Sequence, residues 1–287
     1  MGFLKKLKHR QAWKRILYER GTEPLHLNVL SLFVALFGSF RQRVEFDLVI
    51  RHYNAFAILK AADQAKLMGL SGLSVIEFGV AAGAGLMNKA LLAQKVSAIT
   101  GIDIKIFGFD TGKGMPPARD YRDHPELYQA GDFPSDVASL KAMLPGNAEL
   151  ILGDMATSVE QFLRERSSAA HPIGYVDLDV DYYWSSVDAL KLLSGDPNHY
   201  LPVTILYLDD IHFDAHNPFA GELLAVNEFN QKNQLRKICK PEFLESRRLF
   251  RNAEWIKHIF YLHVMDHPQR SATTKRPQQL LSNPYLD

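Results

Sequence analysis

Cysteine is nearly missing from this 287-residue chain, which has only Cys239. One thiol excludes an internal disulfide and any CxxC metal site. It agrees with a reducing, cytoplasmic setting, and it reads as a small, half-buried residue. Charge of one sign is lacking as well: 33 Lys and Arg meet 32 Asp and Glu, a formal net charge of +1. No global field therefore draws nucleic acid, and no nucleic-acid partner is expected. The apolar stretch 27–40 (LNVLSLFVALFGSF) falls short of the ~20 residues that a membrane span needs. Internal repeats and low-complexity segments are absent too. What remains, at 47% hydrophobic and 23% charged residues, is an ordinary globular composition, long enough for one large domain or two small ones.

The chain begins basic. Lys5, Lys6, Lys8, Arg10, Lys14, Arg15 and Arg20 alternate with Phe3, Leu4, Leu7, Trp13, Ile16 and Leu17. An amphipathic helix of this kind either covers a domain or lies weakly on an anionic membrane surface, so residues 1–40 are a candidate for such contact. The basic region is too long, and the cleavage site too poor, for a signal peptide. Residues 27–40 read as a buried or lid helix, and Phe46–Leu70 as another with its stop at Gly69. A helical N-terminal segment or lid is expected over 1–70, a ligand-binding catalytic domain over 71–266, and a loosely packed, proline-punctuated tail over 267–287.

From Val75 the pattern changes. VIEFGVAAGAGL is a buried strand, a glycine turn and a helix start. Its spacing is E-x-G-x-x-x-G-x-G through Glu77, Gly79, Gly83 and Gly85. The dinucleotide spacing G-x-G-x-x-G is not met, because Asn88 stands where the last Gly belongs. Further strands are predicted at Ile104–Phe109, Glu149–Leu152, Ile173–Leu178, Val203–Leu208, Arg236–Cys239 and Trp255–Val264. Helices are predicted at Asp136–Met143 with Ser135 as cap, Ser158–Arg166, Ser185–Leu193 and Gly221–Phe229. Strand-then-helix units in series imply an α/β fold: a Rossmann-like, doubly wound, mostly parallel seven-stranded sheet with a helical N-terminal extension. Residues 118–134 read as a long surface loop over the site.

In such a sheet ligands bind at the carboxyl ends of the strands. Acids fall there repeatedly: Glu77, Asp110, Asp154, Asp179 and the pair Asp209-Asp210. Asp110 is placed to accept from a ribose diol, whereas its rival Asp103 lies at the wrong end of its strand. Asp154 either meets an adenine amino group or serves as a turn residue after Gly153. Asp179, Asp181, Asp209 and Asp210 would repel one another unless a proton or cation sits among them, and hard oxygen ligands suit Mg²⁺. The alternative has Asp209 or Asp210 capping a turn, and Asp181 capping the helix near Ser185. His212, in the run H-F-D-A-H, is a second candidate base. Tyr182, Tyr183 and Trp184 either face a substrate ring or belong to the core.

These residues resemble a known family. Glu77-Phe78-Gly79 with Gly83-Ala84-Gly85 is similar to the first motif of class I S-adenosylmethionine (SAM) methyltransferases. Phe109-Asp110-Thr111-Gly112-Lys113-Gly114-Met115-Pro116 resembles the F-D-[ST]-F-E-G-[LM]-P element of macrocin-type O-methyltransferases, which act on sugars and natural products. The run Leu178-Asp179-Val180-Asp181-Tyr182 through Ser185-Ser186 to Ala189-Leu190 resembles that family's L-D-x-D-x-Y-x-S-T-x-x-A-L. Asp209-Asp210 resembles its D-D-Y, and Phe219–Phe229 its G-A-x-x-A-V-D-E-F. The matches run in order over residues 75–230. The resemblance implies a SAM- and Mg²⁺-dependent methyl transfer to a hydroxyl of a small acceptor. It implies cofactor contacts at Glu77, Gly79, Ala81, Gly83, Gly85, Asp110, Thr111 and Asp154. It also implies metal ligation by Asp179, Asp209 and Asp210, and a base at Asp181 or Asp179. Lys113 for Glu, Ser186 for Thr, Ile211-His212, Ala81-Ala82 and Asp196-Pro197-Asn198-His199 depart from the family pattern, so the macrolide sugar is not carried over as acceptor. A SAM-binding scaffold without catalysis is the alternative function, and a nicotinamide dehydrogenase is disfavoured by the glycine spacing. A homo-oligomer is compatible with the sequence and not required by it.

Overall fold

The computed structural model describes residues 16–271 except Phe213. The basic stretch before residue 16 and the tail beyond 271, with the expectations placed on them, lie outside the described residues. After a short π-helical turn, Ile16–Arg20, come α1 (Leu25–Phe37), α2 (Phe40–Glu45) and α3 (His52–Leu67). The α/β body follows as β1 (Gly72–Phe78), α4 (Ala84–Thr100), β2 (Asp103–Asp110), α5 (Val137–Met143), β3 (Ala148–Leu152), α6 (Met155–Glu165), β4 (Ile173–Leu178) and α7 (Tyr183–Leu190). It ends with β5 (Tyr200–Leu208), α8 (Gly221–Lys232), β6 (Arg236–Cys239), a short α9 (Leu244–Arg247) and β7 (Ile259–Val264).

The seven strands form one sheet in the order β3-β2-β1-β4-β5-β7-β6. All pairs from β3 to β5 are parallel, and β7 runs antiparallel to β5 and β6. The fold is thus α/β with a mostly parallel sheet. The strand order reverses between β1 and β4, the switch point where the carboxyl ends of an open sheet leave a crevice.

Strand alternation divides the core. Leu73, Val75, Ile104, Ile106, Tyr175, Ile205 and Tyr207 face one side, packed by α3 and α4. Ile76, Phe78, Phe107, Phe109, Val176, Leu178, Leu206 and Leu208 face the other, under α6, α7 and α8. The strands of the middle are apolar on both faces, as doubly covered parallel strands must be.

Several element boundaries differ from the sequence expectation for local reasons. The helix expected from Phe46 starts only at His52, because Asp47 and Arg51 hold left-handed backbone (φ 52° and 48°) that cannot continue a helix. Asp136, not Ser135, caps α5 by accepting from the Ser139 N–H. Asp154 caps α6 by accepting from the Thr157 N–H, so that helix starts three residues earlier than expected. Trp255 belongs to a 3₁₀ turn, Glu254–His258, ahead of the last strand. Cys239 is exposed, not half-buried. Helix α1 is not buried either: only Ser31 and Val34 are covered, while Leu25 (79%), Leu32 (70%), Leu36 (72%) and Phe37 (73%) lie open. No helix among the described residues is long and apolar enough to cross a membrane.

Candidate active site

The carboxyl ends of the parallel strands open into a cavity of about 550 Å³, within the ~300–1,000 Å³ typical of small-ligand sites. Its wall takes Gly79 and Ala81 from the turn after β1, Asp110 and Thr111 from β2, and Asp154 and Met155 from the β3 end. Asp179 and Asp181 come from the β4 end, and Asp209 and Asp210 from the β5 end. No described residue before Gly79 lines it. The wall facing the sheet is the loop between β2 and α5, through Met115, Pro116, Arg119, Tyr128 and Phe133.

The glycine turn is fixed by what surrounds it. Gly79 has φ +82°, and a Cβ there would stand 1.6 Å from the Asp179 carbonyl oxygen, so the ends of β1 and β4 can meet only at a glycine. At Gly85 a Cβ would stand 2.0 Å from Glu77 Oε1. Glu77 and Asp177 are register partners on β1 and β4, and therefore point the same way. Both reach Lys89 on α4: Glu77 Oε1 lies 3.3 Å from Nζ, and Asp177 is in direct contact with it. Lys89 is fully buried. Burial pushes the Glu77 carboxyl up to about 7, against the pull of Lys89 and with the push of Asp177.

This corrects part of the expectation. Glu77, Gly83 and Gly85 do not line the cavity. Glu77 is 3% exposed and turned to an ion triad below the cavity floor, and Gly83 packs against the Leu140 side chain.

Asp110 stands where the sequence puts it, and it is busy. Its Oδ2 accepts from the N–H groups of Val80 and Ala81, both at 2.9 Å, and its Oδ1 accepts from the Gly112 N–H at 2.6 Å. The carboxylate thereby ties the β1 turn to the β2 end. A carboxylate has about four acceptor positions, so one remains for a ligand hydroxyl. Asp154 both caps α6 and lines the cavity, so the two roles weighed for it are compatible.

The acids of β4 and β5 form the electronegative end. Burial, then Asp209 and Asp210, hold the Asp179 carboxyl well above the usual carboxylate range. Asp209 is pushed up to about 6 by burial and then Asp177. Asp210 is pushed up to about 8 by burial, then Asp181 and Asp209. Asp181 is raised by burial, and a hydrogen bond from Tyr128 works against this. Asp181 does not cap α7: the N-cap is Tyr182, without a side-chain bond, and Asp123 Oδ1 accepts from the Trp184 N–H instead. Asp181 sits at φ 58°, in a tight turn in which the Tyr182 N–H donates to the Val180 carbonyl. Its own N–H donates to Asp210 Oδ2 at 3.1 Å.

Whether this cluster suits a divalent cation can be judged from its donors and charges. The donors are all oxygen, as Mg²⁺ requires. The largest influences on Asp179 are burial and other acids, while Arg51 and Lys89 pull against the rise at Asp209. An ion is the direct way to relieve such a cluster. The three carboxylates proposed as ligands line one cavity, yet their oxygens do not all come within 4.8 Å of one another; among the described residues only His212, Glu254 and His258 do so. The donor set therefore fits Mg²⁺, and the carboxylates would have to draw together around it.

His212 is not part of this arrangement. It does not line the cavity, and its ring packs 4.4 Å from that of His258, beside the β5 end. Its expectation as a base is thereby corrected: the loop after Asp210 carries the ring away from the acids. Tyr182 and Trp184 line the cavity, while Tyr183 is a core residue at 3% exposure. Three contributors escaped the sequence reading. The Tyr128 hydroxyl donates to Asp210 Oδ1 at 3.3 Å across 82 residues. Buried Glu222 on α8 accepts from the Asp210 N–H at 3.2 Å. Lys89 anchors Glu77 and Asp177. Of these only Lys89 left a trace in the sequence, as a cation within the apolar stretch Leu86–Leu92.

No protein-family profile matches the chain, and no curated protein matches it. Among solved structures it is similar to the calicheamicin methyltransferase CalS11, at 20% identity over 78% of this chain and 86% of that one, with a TM-score of 0.48. It is similar to the O-methyltransferase NovP, at 14% identity over 73% and 78% of the two chains, with a TM-score of 0.45. A third likeness is to a structure described as cmcI-D160 Mg-SAM, at 17% identity over 71% and 70%, with a TM-score of 0.37. At such identities and scores none of the three speaks for an activity of this chain, and the cavity has to do so.

Proposed function

We propose that this chain is a cytoplasmic, Mg²⁺-dependent O-methyltransferase that moves the methyl group of SAM to a hydroxyl of a small polyhydroxylated acceptor, a sugar or other natural product. One observation carries the reading. A glycine turn at the β1 end and acids at the ends of β2, β3, β4 and β5 meet in one cavity of ligand size. When bound, SAM would supply an electrophilic methyl, and Mg²⁺ would hold and acidify the acceptor hydroxyl.

The chain's own residues do the rest. Gly79 and Ala81 let a ligand lie close to the backbone, and Asp110 keeps one acceptor position for a ribose hydroxyl. Met115, Pro116 and Met155 give the cavity an apolar wall. Asp179, Asp209 and Asp210 would hold the cation. Asp181 takes the acceptor proton on its carboxylate, which burial has made more basic than a solvent-exposed aspartate. Tyr128, donating to Asp210, keeps that neighbour turned to the same site. Little covalent work falls to the protein, so positioning supplies most of the rate.

The partner expectations stand as proposals beside this. The exposed apolar side chains of α1, a helix without Lys, Arg, Asp or Glu, support residues 1–40 as the segment that meets a membrane surface or a second copy of the chain.

The test is Asp179→Ala. Turnover with a panel of hydroxylated acceptors should vanish while calorimetric SAM affinity stays within about threefold, because the cofactor and metal ends of the cavity are carried by different strands. Equal loss of SAM affinity would sink the division of roles. SAM binding by the unaltered chain without any Mg²⁺-dependent methyl release would favour the non-catalytic scaffold.

A further inference from the structure

The His212 side chain, lost to the acid cavity, has other company. β7 pairs antiparallel with β5, Tyr207 opposite Ile259, so the 3₁₀ turn that leads into β7 returns beside the point where β5 ends. That turn carries Glu254 and His258, and the loop leaving β5 carries His212. One ligand atom from each of these three residues lies within 4.8 Å of the other two.

The arrangement is oriented. His258 Nδ1 is 2.6 Å from the Leu208 carbonyl oxygen. A carbonyl only accepts, so the proton is on Nδ1 and the lone pair on Nε2. A backbone carbonyl fixing the far nitrogen of a ligating imidazole is the usual support of a metal site. The His258 ring is 7% exposed and lies parallel to the Tyr207 ring at 5.2 Å, which holds its plane. His212 Nδ1 is buried with no hydrogen-bond partner among the described residues. Glu254 is exposed, and its carboxylate is free to travel toward an ion.

We propose that His212, Glu254 and His258 form a second cation site, for a transition metal of the Zn²⁺ class, separate from the oxygen-only acid cluster. Two imidazoles and one carboxylate are a zinc donor set, and three protein ligands leave a fourth position for water. Mg²⁺ disfavours this set, since it takes oxygen ligands. The chain would thus sort two cations by donor chemistry on either side of the β5 end. The ion would fasten the loop that follows Asp209-Asp210 to the lead-in of β7, and so hold the acid pair's backbone from behind.

The experiment uses the full chain, stripped with a chelator and titrated with Zn²⁺ against a chromophoric competitor, with Co²⁺ absorption as a second readout. One Zn²⁺ per chain is expected, with a rise in Tm on binding and a visible Co²⁺ spectrum of imidazole ligation. His212→Gln and Glu254→Gln, both outside the sheet, should each weaken Zn²⁺ at least about tenfold, and Asp179→Asn should leave it unchanged. Absence of stoichiometric Zn²⁺ would overturn the proposal, as would indifference of binding to both the Gln variants. Loss of Zn²⁺ in Asp179→Asn with retention in the other two would place the ion in the acid cavity instead, and equally overturn it.

Discussion

Lys89→Met is the substitution whose consequence the structure determines most directly. Lys89 is fully buried and is the cation that Glu77 and Asp177 share across the β1–β4 junction. Methionine keeps the length of the side chain and removes the charge, which leaves two buried carboxylates facing each other. Breaking a buried ion pair by deleting one partner costs about 3–5 kcal/mol. For a chain of this size each kcal/mol moves Tm by about 2–4 °C, so a fall of about 6–20 °C is expected.

The loss must depend on pH, and its sign follows from Glu77. Its folded value, about 7, already exceeds the ordinary 4.5 because of burial, with Lys89 the main influence holding it down. An acid raised on folding is best tolerated while protonated: the stability it leaves intact below its unfolded value is lost as pH climbs through the folded one. Without Lys89 the folded value rises further. The cost of Lys89→Met should therefore grow between about pH 6 and about pH 8, as ionised unfolded carboxylates outcompete neutral folded ones. Urea denaturation at both pH values measures it, and Lys89→Met/Glu77→Gln/Asp177→Asn should recover most of the loss. A cost below about 1 kcal/mol, or one equal at the two pH values, would refute the buried-triad reasoning.

Other expectations follow from the same geometry. Gly79→Ala should destabilise by about 1–3 kcal/mol from backbone strain alone and more from the contact with the Asp179 carbonyl, with SAM affinity falling in parallel by calorimetry. In chelator, stability should fall as pH rises from about 4 toward about 8, because Asp209 and Asp210 are raised to about 6 and about 8 on folding. Asp210→Asn should flatten that slope and millimolar Mg²⁺ should reduce it; a slope unchanged by both would mean the acids are not the cause. Tyr128→Phe should lower kcat more than it raises the KM for SAM, since its hydroxyl touches Asp210 and not the glycine turn. Leu32→Ser/Phe33→Ser/Leu36→Ser on α1 should leave Tm within a few degrees, these side chains being exposed, while reducing self-association in sedimentation or flotation on anionic vesicles. Unchanged behaviour in both assays would remove α1 from the partner surface.

Much of this protein is determined by the sequence alone, for reasons of period and turn chemistry. The strands of the middle are short apolar runs that end in or just before an acid, so their number and carboxyl ends are readable, and with them the positions of Asp110, Asp179 and Asp209-Asp210. Gly79 is readable too, as a backbone turn that only glycine allows. What the tertiary structure decided is where side chains point once neighbours compete for them. Glu77 reads as a ligand contact from its place in the glycine motif at a strand end; register with Asp177 and the reach of Lys89 from α4 make it part of a buried ion triad. Asp110 sits at the expected strand end, yet its hydrogen bonds to Val80, Ala81 and Gly112 exist only because two strand ends meet. His212 lies two residues from Asp210 in the chain, and the loop carries it to His258, 46 residues further along. Spacing along a chain sets which residues can reach a strand end. Which of them share a site depends on contacts between residues far apart in sequence, and those form only when the sheet closes.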